Sequence, residues 1–317
     1  MNRKAVLVVL AVIAIVITLG SYAVLKLTPD MTKAIIKDDK AVLLYNRAVA
    51  LAKSGNKEDA VNAFHSVVTN YPESVCSEKA MRQLAVYYRA KGDGVKTAYF
   101  YNRLLATFPN VKDAAEIRKV AENLNMEILL SQSLTPDSVE YKVQPKDTLV
   151  GIASRFHTTV ALVKKINKLE SDIISPGQKL KIVGAKFSLL VDKSANRMYL
   201  YKDGVLFKTY VVSTGTKNST PVGKFKIEEK SVEPVWYKPG GGVVKAGTED
   251  YQLGARWMGL SAKGYGIHGT KDENTIGSQV TNGCIRMHNA DVIELYDIVP
   301  SGTEVEIVDK ITPKTTK

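Results

Sequence analysis

Along the chain the spacing of hydrophobic positions changes character four times. Ala5 to Leu25 is an unbroken run of 21 residues without a charge, bracketed by Arg3-Lys4 and Lys26. As a helix rising about 1.5 Å per residue it would measure roughly 31 Å, the thickness of a bilayer's hydrocarbon core. The pattern predicts a short cytoplasmic stub (1–4), a transmembrane signal-anchor helix (5–25) and everything after Lys26 outside the cytoplasm, because the flanking positive charges stay inside. A cleaved signal peptide is the competing reading, with Ser21-Tyr22-Ala23 a poor cleavage site and the apolar run long for one. Residues 38–132 then take a helical period. Ala60-Val61-Asn62-Ala63-Phe64 leads to Val67-Val68-Thr69-Asn70-Tyr71-Pro72, and Ala98-Tyr99-Phe100-Tyr101 leads to Leu104-Leu105-Ala106-Thr107-Phe108-Pro109. After a linker-like Ser131–Ser138, residues 141–184 predict strand, helix, helix, strand. Asp147 is the expected cap of the first helix, and Thr158 or Thr159 starts the second. From Phe187 the period shortens to that of strands, 187–192, 197–202, 205–213 and 223–228, with Asp203-Gly204 as a hairpin signal. Asn289–Ile298 predicts a helix and Thr303–Val308 a last strand. The expected fold class is therefore multidomain: an anchor, α-helical repeats, a small α+β module and a β-rich domain over 186–309, followed by a basic tail (310–317).

Composition changes this picture in two places. The chain carries a formal net charge of +12 over 317 residues. The excess is uneven: Tyr141–Gly184 holds eight basic and three acidic residues, whereas Lys186–Asp309 balances. A neutral β-rich domain has no nucleic-acid footprint, and the basic regions suit an exported protein held near anionic wall polymers or lipid headgroups. There are only two cysteines, Cys76 and Cys284, and no Cys-x-x-Cys pair for redox chemistry. A disulfide between them would consume the one thiol with a reactive setting.

That setting is Gly264–Asn289. Cys284 follows Gly283 and precedes Arg286 by two residues, and His268 lies sixteen positions upstream beside Gly269-Thr270. A thiol becomes a nucleophile when a base takes its proton, and imidazole can later return that proton to a leaving group. Gly283 lets backbone approach a substrate carbonyl, so the amides of Asn282, Gly283 and Cys284 are candidate oxyanion donors. Arg286 offers a fork of donors for a carboxylate, or a brace for the loop. Thr270 and Thr281 are expected to hold loops, with substrate contact as the alternative, Thr281 counting with Gly269 among the candidate oxyanion and substrate residues. His288 with Cys284 and His268 would make only three zinc ligands, so no metal is expected.

These residues resemble the catalytic signature of the L,D-transpeptidases of the YkuD type. The matches are Ile267-His268-Gly269-Thr270 and Thr281-Asn282-Gly283-Cys284-Ile285-Arg286-Met287, with further likeness at Ser213-Thr214-Gly215, Ser219–Phe225, Pro234–Tyr237 and Leu253–Leu260. The resemblance implies a cofactor-free exported enzyme of the bacterial cell envelope. Its Cys284 thiolate would attack a peptidoglycan stem tetrapeptide, release D-alanine and pass the acyl group to an amine. It also implies that a backbone carbonyl, here Gly269, holds the second nitrogen of His268. Many members have His where this chain has Asn282, which puts donor specificity in question. Residues 141–184, with Asp147-Thr148-Leu149, Asn167 and Pro176-Gly177-Gln178, look like a LysM module, which implies binding to N-acetylglucosamine-containing glycan strands; Lys146 replaces the usual Gly. The helical region is similar to tetratricopeptide repeats, a surface for a protein partner. The alternatives are a hydrolase or protein-anchoring transpeptidase at the same site, or a non-catalytic wall-binding scaffold.

Overall fold

The structure, a computed structural model, describes residues 29–237 and 241–311. The expected anchor at 5–25 lies outside them, as does most of the basic tail. Among the described residues no helix is long and apolar enough to cross a membrane.

The chain forms two compact units, divided after Leu84. The first holds α1 (Pro29–Lys53), α2 (Lys57–Asn70) and the start of α3 (Val75–Ala90). Apolar positions three and four apart put Ala60, Phe64, Val67 and Val68 on one buried face of α2, where Phe64 meets Tyr45 of α1 at 5.7 Å between ring centroids. Cys76 is buried here as a free thiol.

The second unit begins with the end of α3 and continues through α4 (Gly94–Thr107) and α5 (Ala114–Leu130). Next come β1 (Ser138–Lys142), α6 (Leu149–Arg155), α7 (Val160–Asn167) and β2 (Lys179–Val183), the expected strand–helix–helix–strand order. β1 and β2 pair antiparallel around a core of Val143, Leu149, Ile152, Val163, Leu180 and Ile182. The cap of α6 differs from expectation. Thr148 is extended and its side chain accepts from the Gly151 amide, whereas the Asp147 carboxylate accepts from Tyr141 Oη at 2.6 Å and the Gln144 amide at 2.8 Å. The turn from β1 claims the aspartate first, so the next residue caps.

The β-rich part runs β3 (Phe187–Asp192), β4 (Arg197–Lys202), β5 (Val205–Gly215), β6 (Gly223–Val232), β7 (Trp236–Tyr237), β8 (Val243–Val244), β9 (Arg256–Leu260), β10 (Gly266–His268), β11 (Gln279–Thr281), β12 (Ile285–Met287), α8 (Asn289–Ile298) and β13 (Glu304–Val308). Asp203 and Gly204 both have positive φ, as the hairpin signal requires. Nine strands hydrogen-bond in the order β11-β5-β12-β10-β9-β6-β13-β3-β4, and β4 also pairs with β5, so the sheet closes on itself. Its interior and α8 share one core with Val191, Met198, Val212, Met258, Ile267, Ile285, Met287 and Leu295.

Contacts inside this unit tie the small module, α5, α8 and the sheet together. Asn125 of α5 donates to the Phe207 carbonyl at 2.9 Å. Lys165 of α7 pairs with Asp297 of α8 at 2.6 Å, and the ammonium of buried Lys181 donates to the Ser131 carbonyl just past α5 at 2.9 Å.

The strand β6 runs four residues past its expected end at Glu228. A bulge between Ile227 and Glu229 inserts one residue against β9, pairing Ile227 with Leu260 and Glu229 with Gly259. Side chains alternate along a strand, so the bulge reverses which of them face the core. Ile227 and Lys230 point inward. The half-buried Lys230 ammonium donates to the last carbonyls of α8 (Tyr296 at 2.6 Å, Val299 at 2.7 Å), and burial pushes its pKa down to about 8. Glu229 is sent to the opposite face.

Candidate active site

That opposite face is the site. β10 and β12 run parallel with Ile267 against Ile285 and His268 against Arg286, while β9 lies antiparallel with Trp257 against His268. Alternation buries Met258, Ile267, Ile285 and Met287 in the core. It therefore leaves Trp257, His268 and Arg286 in a row across three strands, with Cys284 at the start of β12. Residues Thr281, Asn282, Cys284, Arg286 and His268 all line one cavity of about 740 Å3, walled also by Trp236, Tyr237, Trp257 and Tyr265. Gly269 and Gly283 stand just behind that lining. Trp236, Tyr237 and Trp257 border the groove.

His268 is 4% exposed. Its Nδ1 lies 2.6 Å from the Gly269 carbonyl oxygen. A carbonyl can only accept, so Nδ1 carries the hydrogen and the neutral ring keeps a lone pair on Nε2. Burial pushes the imidazole pKa down to about 4; the Gly269 and Leu253 carbonyls oppose the fall and the Arg286 charge adds to it. Trp257 stacks on the ring, centroids 5.8 Å apart. Burial raises the Cys284 thiol, against a backbone hydrogen bond with Gly266 and the charge of Arg286. The thiol itself donates to the Gly264 carbonyl at 3.8 Å. At neutral pH the pair rests as thiol and free imidazole rather than as an ion pair.

The loop before β12 is cross-tied by Thr281. Its hydroxyl donates to the Cys284 carbonyl at 2.6 Å and accepts from the Gly283 amide at 3.2 Å. The Gly283 amide is thus engaged, and the amides of Asn282 and Cys284 are the remaining candidates for an oxyanion. Gly283 has φ +124, and a Cβ there would lie 2.6 Å from the Tyr265 ring. Thr270 likewise holds its own loop through Asp272. Arg286 braces: Nη1 donates to Thr275 Oγ1 at 3.2 Å, yet its buried Nε has no partner among the described residues. His288 contacts Glu273 Oε2 at 3.2 Å at the start of α8.

Sequence reasoning missed Asn289. Its Oδ1 accepts from the amides of Ala255 (3.0 Å) and Thr270 (3.3 Å), and its Nδ2 donates to the Thr270 carbonyl at 2.6 Å and to Glu273. One amide side chain therefore knots the segments on either side of the carbonyl that orients His268. The only sequence signal was an Asn opening a helix, which reads as an ordinary start. Asn289→Ala strands several of these groups, and a loss of about 2–3 kcal/mol is expected in denaturant unfolding.

Parts of the chain match known protein families. Residues 186–307 match the L,D-transpeptidase catalytic domain, 141–183 the LysM domain and 43–74 a tetratricopeptide repeat. The protein called YkuD in Bacillus licheniformis, which carries the name L,D-transpeptidase, is 38% identical over 53% of this chain and 97% of its own length. This chain belongs to the L,D-transpeptidase family. YkuD of Bacillus subtilis, another L,D-transpeptidase by name, is 36% identical over 53% of this chain and 97% of its own. Among solved structures, an L,D-transpeptidase from Mycobacterium smegmatis aligns with 42% of this chain and 64% of its own at 20% identity and TM-score 0.34. In this L,D-transpeptidase His268, Thr281, Asn282, Cys284 and Arg286, from the two strings that carry the resemblance, line the cavity described above.

Proposed function

We propose that this L,D-transpeptidase crosslinks peptidoglycan on the outer side of the membrane, using Cys284 as nucleophile and His268 as general acid and base. As the sulfur attacks the carbonyl between the third residue of a stem tetrapeptide and its terminal D-alanine, the thiol proton passes to His268 Nε2. The amides of Asn282 and Cys284 hold the oxyanion, and the C–N bond breaks as His268 returns the proton to the departing D-alanine amine. A side-chain amine of a second stem then attacks the thioester. His268 takes its proton and passes it to the leaving sulfur, which restores the thiol. One amide replaces another, so no ATP is needed. Arg286, which lines the same cavity, receives the carboxylate of the departing D-alanine.

One observation carries this reading. A buried histidine with Nδ1 on the Gly269 carbonyl and a pKa of about 4 shares a cavity with the thiol, so it is a free base at any physiological pH. The LysM module would hold the glycan strand, the helical repeats would hold a protein partner, and residues 5–25 would anchor the chain.

Intact-protein mass spectrometry of the full chain in detergent tests it. Incubation with a disaccharide-tetrapeptide is expected to add the acyl group to wild type and to neither Cys284→Ala nor His268→Ala. A folded wild type that gains no mass would move the reading to a wall-binding scaffold.

A further inference from the structure

The cavity that holds the thiol is lined by a carboxylate as well. Glu229 is the lone acid among the described lining residues, opposed by two cations, Lys263 and Arg286. It reaches the cavity only through the bulge in β6, which turns it away from the core that Ile227 enters. Its Oε1 accepts from Trp257 Nε1 at 3.0 Å, and it makes no ion pair among the described residues. Two glycines let Glu229 and the Trp257 indole lie close over the strands between Glu229 and the thiol. A Cβ on Gly259 would lie 2.7 Å from Glu229 Cγ, and one on Gly266 would lie 2.5 Å from the Trp257 ring. The indole therefore lies flat across the sheet, with Glu229 at one edge and His268 stacked against it.

We propose that Glu229 and the Trp257 face form a subsite for the side-chain ammonium of the donor stem's third residue. This rests on the transpeptidase reading above. Glu229 pairs with Gly259, Gly259 with Gly266, and the β10–β12 register carried back one residue sets Cys284 beside Gly266. Three strand spacings of about 4.8 Å separate the two positions, leaving roughly 10 Å between carboxylate and sulfur once the side chains lean in. An attacking acceptor amine must come within about 3.5 Å of the acyl carbon, so it cannot be the group that Glu229 holds. A diamino acid bound to Cys284 through its own carbonyl carries its distal nitrogen six bonds away, roughly 7–8 Å when extended. One charge-assisted hydrogen bond of about 2.8 Å closes the gap. The indole face adds attraction for the same cation.

Three synthetic tetrapeptide donors test this, alike except for lysine, Nε-acetyl-lysine or norleucine at the third position. The rate of thioester formation on full-length protein is followed by intact mass. Wild type is expected to react with the lysine donor about tenfold faster than with the other two, a ratio that shrinks as salt is added. In Glu229→Gln the ratio should fall close to one. Equal rates in wild type, or an equal slowing of all three donors in Glu229→Gln, would overturn the subsite and leave Glu229 a prop for Trp257. Acylation without discrimination sinks the subsite alone, whereas no adduct from any donor sinks the transpeptidase reading with it.

Discussion

Replacing His268 with glutamine is expected to slow acylation of Cys284 at pH 7 by about a thousandfold or more, because the thiol then has no base. Burial keeps Cys284 protonated, so little thiolate is available without help. Glutamine fills a similar space and can still donate to the Gly269 carbonyl, which separates loss of chemistry from loss of shape. The pH behaviour sharpens the test. With a folded pKa of about 4 against an ordinary 6.5, His268 stays a free base far into acid, so wild-type kcat/KM should show its His-dependent acid limb near pH 4. The same shift bears on stability. Between pH 6.5 and 4 the unfolded chain binds a proton that the folded chain refuses, so stability falls as the pH drops. The His268 share of that loss is zero above pH 6.5 and reaches about 3 kcal/mol near pH 4. Denaturant melts of wild type and His268→Gln across this window should therefore converge or cross as the pH falls. Parallel curves would mean that the histidine is not held neutral.

What the sequence made legible, and what it did not, divides by range. The Cys284 and His268 segments were readable because each is a short string whose chemistry is local, and the structure sets both on one cavity. The strand and helix order of 141–183 was readable from period and turn residues. Asp147 was misplaced as a cap because competition from Tyr141 and Gln144 is visible only once β1 has folded back. Glu229 was silent for a different reason: its face depends on a bulge, and plain alternation from Ile227 would send it into the core. Asn289 was silent because its partners lie 16 to 34 positions upstream. The engagement of the Gly283 amide by Thr281 is a contact between near neighbours, but composition alone does not say which of three amides is taken.

Gly254→Ala is expected to do more damage than any other single-methyl addition near the site. The residue belongs to the Leu253–Leu260 string that supported the resemblance, yet nothing in the string explains why it must be glycine. In the fold its φ is +65, a left-handed conformation that costs a residue with a Cβ about 1 kcal/mol. The larger cost is room. A Cβ there would lie 2.3 Å from the Thr270 amide nitrogen, 2.4 Å from Asn289 Oδ1 and 2.5 Å from the Gly269 carbonyl carbon. Two of these are backbone atoms of the segment that orients His268, and the third is the side chain that ties that segment down. None is a flexible tip that can swing aside, so the chain at 269–270 must move. The expected destabilisation is about 3–5 kcal/mol, the range for overpacking with a broken hydrogen-bond network. Because Gly269 supplies the carbonyl for His268 Nδ1, acylation should fall even at temperatures where the variant remains folded. Gly259→Ala is the control: its Cβ would meet Glu229 Cγ at 2.7 Å, part of a side chain that can turn away. It should cost less stability while disturbing the lysine-donor preference. If Gly254→Ala instead keeps wild-type melting and acylation, the close packing behind His268 does not govern the base.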